Sequence, residues 1–152
     1  MSDGDPASPG VAGEPRERPP DSPVVTTTVR LLVPFVVTFG LFTMFHGTSS
    51  AGGGFQGGVV VAAGVIAIAF AFGLERTGRW LRPGALTVIP AAGVLGFVLV
   101  AGGPVVLGAE FLDLSAYPVA KAVVFGVEAV ELCIGATVAT TVVLLFQSLG
   151  GG

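Results

Sequence analysis

Four long apolar stretches, joined by short polar segments, organise this chain from residue 24 onward. They run roughly 24–45, 58–74, 85–107 and 122–146. Crossing a hydrocarbon core of about 30 Å takes about 20 helical residues, and each stretch is near that length. A lipid-embedded sheet would have to close into a barrel of alternating polarity, and these runs do not alternate. The pattern predicts an all-α membrane protein of four transmembrane helices.

Composition removes the soluble alternatives. Apolar residues make up 52 % of the 152 and charged residues 11 %, against about 25 % charged in an ordinary soluble domain. Mean hydropathy is +0.87. Residues 1–23 hold six of the eleven prolines, five acids and two arginines. That mixture predicts a disordered N-terminal tail rather than a basic, apolar signal peptide. The net charge of −3 is carried by this tail, so the remainder sums to zero and offers no basic field for nucleic acid. One cysteine, Cys133, and one histidine, His46, exclude a disulfide framework and the usual zinc sites.

The basic residues set an expected orientation. Arg16, Arg18 and Arg30 precede or open helix 1, and Arg76, Arg79 and Arg82 lie between helices 2 and 3, whereas Lys121 alone falls on the other side. The positive-inside rule then makes both termini and the 75–84 loop cytoplasmic. The 46–57 and 108–121 loops face outward, with Trp80 and Tyr117 as interfacial aromatics. Pro34, Pro90 and Pro104 fall inside helical runs, where each removes a backbone hydrogen bond and acts as a packing kink or a hinge.

Two features carry candidate chemistry. In helix 4, Glu128 and Glu131 are three apart and share a face, with Lys121 seven residues before Glu128. With the helix midpoint near Ile134, Glu131 would lie about 4.5 Å from the centre and Glu128 about 9 Å. Carboxylates at such depth serve ion or proton paths, or stand as structural hydrogen-bonded acids against a neighbouring subunit. His46, closing helix 1, is either a proton acceptor or an interfacial hydrogen-bonding group. The second feature is glycine-rich: Gly47, then Gly52, Gly53, Gly54, Phe55, Gln56, Gly57 and Gly58. Its formal G-x-G-x-x-G lacks the preceding strand of a dinucleotide site, and no Lys-Ser/Thr closes a phosphate loop. It reads instead as a tight turn permitting close backbone approach, from which only Phe55 and Gln56 project. Ala63, Ala67 and Ala71 form a small-residue stripe on helix 2 for helix packing.

The segment FHGTSSAGGGFQGGVVVAAG, residues 45–64, resembles the MnhB family, small membrane subunits of the Mrp-type multisubunit sodium/proton antiporter. Weaker matches are Pro104 with Gly108, Phe111 and Leu112, and Glu131–Leu132 in the last helix. Ala51 stands where that family usually has proline, and Cys133 where it commonly has glycine. The resemblance covers roughly residues 25–150 and implies one small multi-pass subunit of the plasma membrane, with no enzymatic site and no cofactor. Its partners would be other membrane subunits, Na+ and H+, in an assembly exchanging cytoplasmic sodium for external protons. Small subunits of such assemblies complete the sodium path or brace the complex. The alternatives are a membrane-arm subunit of an ion-pumping redox complex, such as a membrane-bound hydrogenase, and a purely structural assembly subunit.

Overall fold

The computed structural model describes residues 22–47 and 52–150. Five α-helices form: α1 (Pro23–Phe45), α2 (Gly54–Phe72), the short α3 (Leu74–Trp80), α4 (Pro83–Val106) and α5 (Ala122–Gly150). A single 3-10 turn, Leu114–Ala116, lies between α4 and α5. Four of these helices are long and apolar enough to cross a membrane. The expected tail, residues 1–23, lies outside the described residues except for Ser22 and Pro23. Pro23 opens α1, where its fixed φ suits a first helical position.

Spatially the long helices stand in the order α1, α2, α5, α4, each packed on the next. Glycines make the two central contacts close. At the α1–α2 crossing, a Cβ added to Gly57 would come 2.6 Å from the Gly40 carbonyl oxygen. At the α2–α5 crossing, one added to Gly58 would come 2.6 Å from the Gly135 carbonyl oxygen. Lipid offers apolar side chains no hydrophobic reason to leave it, so close packing and polar contacts hold such helices together. The outward faces are correspondingly apolar, with Phe35, Phe39 and Phe42 exposed along α1.

The structure shifts the expected second helix and its packing face. It begins at Gly54 rather than residue 58, so Gly54–Gly58 form its first turn instead of a loop. Glycine is a poor helix former, but here tertiary contact with α1 and α5 requires its missing side chain. Of the alanine stripe, Ala63 is exposed and Ala67 half-buried, and only Ala71 is buried. The packing rows are instead Gly54, Gly58, Ala62 and Ala69, with Gly57 and Gly64 turned to α1. The segment between the second and third spans is not simply a loop, because α3 forms there after Gly73, whose φ of 92° suits glycine.

One proline inside α4 has an identifiable compensation. Pro104 cannot donate to the carbonyl of Val100, and the Tyr117 hydroxyl donates to that oxygen instead, at 2.8 Å. The Tyr117 ring crosses Gly103, where a Cβ would collide with it. Tyr117 is therefore a half-buried strut holding the loop between α4 and α5 to α4. Immediately beyond, Gly108 (φ 83°) ends α4, with the Gly108 and Ala109 N–H groups donating to the Val105 and Pro104 carbonyls. This is a Schellman stop. The Thr137 hydroxyl donates at 2.8 Å to the Cys133 carbonyl of its own helix, with the Pro90 carbonyl of α4 a longer 3.4 Å away.

Tyr117→Phe should lower the thermal unfolding midpoint of the detergent-solubilised chain, by the equivalent of about 1 kcal/mol for one lost hydrogen bond. Adding Pro104→Ala, which restores a backbone donor to Val100, should recover part of the loss. An unchanged midpoint in Tyr117→Phe would show that Tyr117 is no strut.

Candidate functional site

The α2–α5 crossing places a carboxylate where two helix ends meet. Helices α2 and α5 run parallel, with Gly54 beside Glu131, Gly58 beside Gly135, and Phe70 against Phe146 at 5.3 Å. The Glu131 carbonyl oxygen fills the space that a Gly54 side chain would need. The Glu131 side chain then reaches into a cradle made by Gly47 and Gly53. A Cβ on Gly47 would collide with the carboxylate, and one on Gly53 would stand 2.9 Å from Oε1. Gly53 is also held at φ 125°, a backbone state that side-chain-bearing residues rarely adopt.

Polar surroundings of this carboxylate are sparse and directional. The Gly47 backbone N–H donates to it, while among the described residues Oε2 is buried with no hydrogen-bond partner. Helix α2 has no side-chain cap and no acid in its own first turn. Among the described residues, then, no local side chain caps its first amides, and the positive end of the helix dipole faces the carboxyl group supplied by α5.

Glu128, half-buried one turn away, interacts electrostatically with Glu131 across the shared face. Lys121 does not extend that face. It precedes α5, is exposed, and adopts φ 60° at the loop-to-helix corner. The ring of exposed His46 stacks on Phe42 with centroids 4.0 Å apart. Phe55 and Gln56 project outward as expected, both exposed on the first turn of α2. Among the described residues no three His, Cys, Asp or Glu side chains gather to hold a metal.

The helix midpoint also differs from the expectation. The helix carrying Glu131 runs to Gly150, so its midpoint is Ala136, and Glu131 lies about 7.5 Å from it. Glu131 is level with the described ends of α1 and α2. Above it α5 continues for nine more residues to Ala122, a rise of roughly 13 Å. The carboxylate thus sits level with the described ends of α1 and α2, beside an α5 that extends further along its own axis. A groove of about 360 Å³ on the α4 side of α5, lined by Leu99, Val119, Phe125 and Ala129 among others, is apolar. It offers no alternative ion site.

Sequence reasoning missed three contributors to the helix crossings beside the cradle: Gly40 and Met44 on α1, and Gly135 on α5. Met44 passes between the helices, its sulfur 3.1 Å from the place of a Gly135 Cβ. Isolated glycines inside the first and last apolar runs were the available signal.

Comparison with known proteins bears on the whole of this region. A family model described as a domain related to the MnhB subunit of Na+/H+ antiporter matches residues 24–146. The Na(+)/H(+) antiporter B subunit of Bacillus subtilis is 30 % identical over 89 residues, covering 59 % of this chain and 62 % of that protein. A putative antiporter subunit mnhB2 of Staphylococcus aureus is 31 % identical over 90 residues, covering 59 % and 63 %. An uncharacterized protein of Methanocaldococcus jannaschii is 34 % identical over 77 residues, covering 51 % and 29 %. The chain thus spans a little under two thirds of the antiporter subunits it matches.

The cradle's tightness grades its tolerance of added side chains. Gly54→Ala should lower thermal stability by about 2 kcal/mol or more, because the obstacle is backbone that cannot turn aside. Gly78→Ala and Gly102→Ala, where an added Cβ meets nothing within 4 Å, should leave it within about 0.5 kcal/mol. Equal tolerance at all three positions would contradict the close α2–α5 contact.

Proposed function

Since the chain belongs to the family of the MnhB subunit of Na+/H+ antiporters, we propose that it is a small subunit of a multisubunit cation/proton antiporter. It is a multi-pass protein of the cell membrane. The complex exchanges cytoplasmic Na+ for external H+, and this chain contributes to the ion path through Glu131. One observation carries that role: a buried carboxylate oxygen with no hydrogen-bond partner among the described residues, at the positive end of a helix that no described side chain caps. Buried acceptors are rarely left unsatisfied, and a proton or a monovalent cation would satisfy this one. Glu128, one turn away, is a second acceptor on the route, and His46 stands at the rim where α1 ends.

A structural reading draws on the same contacts. Glu131 accepts from Gly47 and faces the α2 N-terminus, so it also acts as a cap joining three helices. The two roles separate experimentally. Glu131→Gln keeps shape and an acceptor but removes the titrating group. The complex should then assemble at normal abundance while sodium-driven proton movement in inverted vesicles falls at least about tenfold. Glu131→Asp should retain part of the activity. If Glu131→Gln exchanges ions like the wild type while Glu131→Asp disturbs assembly, the acid is structural.

The proposed orientation places both termini and α3 in the cytoplasm, following the arginines at that end. In a Cys133→Ser background, Ala120→Cys should react with an impermeant thiol reagent from outside and Gly78→Cys only from inside. Reaction of both from one side would defeat this topology.

A further inference from the structure

We propose that α3 and the adjoining helix ends form a headgroup site for an anionic phospholipid. Helix α3 lies between two spans with one face turned inward. Thr77 is buried, its hydroxyl bonded to the Gly73 carbonyl at 3.0 Å. Leu74 packs against the end of α5, 3.1 Å from the place of a Gly150 Cβ, and Leu81 packs against the Ala62, Leu86 and Val143 cluster. The other face carries Arg76, Arg79 and Trp80, at helical spacing i, i+3, i+4, all exposed. Arg82, exposed, follows at the start of α4.

Charge at this end is unbalanced. Arg79 reaches Glu75 at 3.8 Å, but both side chains are largely exposed, and such pairs are weak. Arg30 of α1 adds a fourth cation, its guanidinium 5.1 Å from the centre of the Phe72 ring at the end of α2. Four arginines therefore stand against one acid among the described residues of this end. A phosphodiester accepts forked guanidinium hydrogen bonds, and Trp80 lies between the ends of two spans, where indole rings favour the interface. Arginines beside membrane spans draw anionic lipid by the same electrostatics. The apolar surface below them meets its acyl chains. The lipid site is independent of the part assigned to Glu131.

The site contains its own reporter, because Trp80 is the only tryptophan in the chain. The full chain would be reconstituted in phosphatidylcholine vesicles holding a small fraction of acyl-brominated phosphatidylglycerol or acyl-brominated phosphatidylcholine. Phosphatidylglycerol should quench Trp80 at a mole fraction lower by about fivefold or more, roughly one arginine's share. Arg76→Gln with Arg82→Gln should bring the two lipids toward equal quenching. Equal quenching in the wild type would overturn the proposal. So would a preference unmoved by the arginine changes. A preference seen only after residues 1–21 are removed would also overturn it, assigning the arginines to the acidic tail.

Discussion

The backbone of α2 touches the backbone of α5 at Gly54 and Gly58, and most other features of the fold follow from that contact. Two helices cannot approach this closely with side chains between them, and in lipid such approach replaces the hydrophobic drive of soluble cores. Glycine costs about 1 kcal/mol per residue in a helix relative to alanine, yet five residues at the start of α2 include three glycines. The helix forms there because α1 and α5 supply neighbours on two sides. Gly40 and Met44 meet Gly57 from one side, and Glu131 and Gly135 meet Gly54 and Gly58 from the other.

That contact also fixes the chemistry. Bringing the α5 backbone to Gly54 carries the Glu131 carboxylate to the gap between α1 and α2, where only glycines leave room for it. The helix that begins there has no cap of its own, so a side chain from another helix faces its positive end. Among the described residues a structural bond and an open acceptor coexist on one carboxylate: Gly47 donates to it, and Oε2 has no partner. In the proposed function, this lets the site take up a proton or cation while its support stays in place.

Four spans were legible because their apolar runs are long and their flanks charged. Glu131 stood out because an acid in such a run is costly. The glycine segment was recognisable as a place of close backbone approach, but its helical state was not. Local propensity opposes a helix at Gly54–Gly58, and the α5 contact that overrides it is distant in sequence. For the same reason the alanine stripe misled. Regular spacing marked one face of α2, whereas packing on both α1 and α5 divides its small residues into two rows. The level of Glu131 depended on where α5 ends and where the hairpin turns, which apolar length alone does not fix. Tyr117 looked like an interfacial residue, since nothing local links it to the carbonyl that Pro104 leaves without a donor 17 residues earlier.

The proposed ion path depends on a carboxylate that is both held and available, and its carboxyl carbon can be observed directly. In the assembled complex in lipid, with glutamate carboxyl carbons labelled, the Glu131 resonance is the one lost in Glu131→Gln. Recorded in sodium and then in choline buffer of equal pH and ionic strength, it should shift between the two, while resonances of exposed acids such as Glu75 and Glu110 stay in place. A Glu131 resonance at the same position in both buffers would contradict a role for this carboxylate in handling the transported cation.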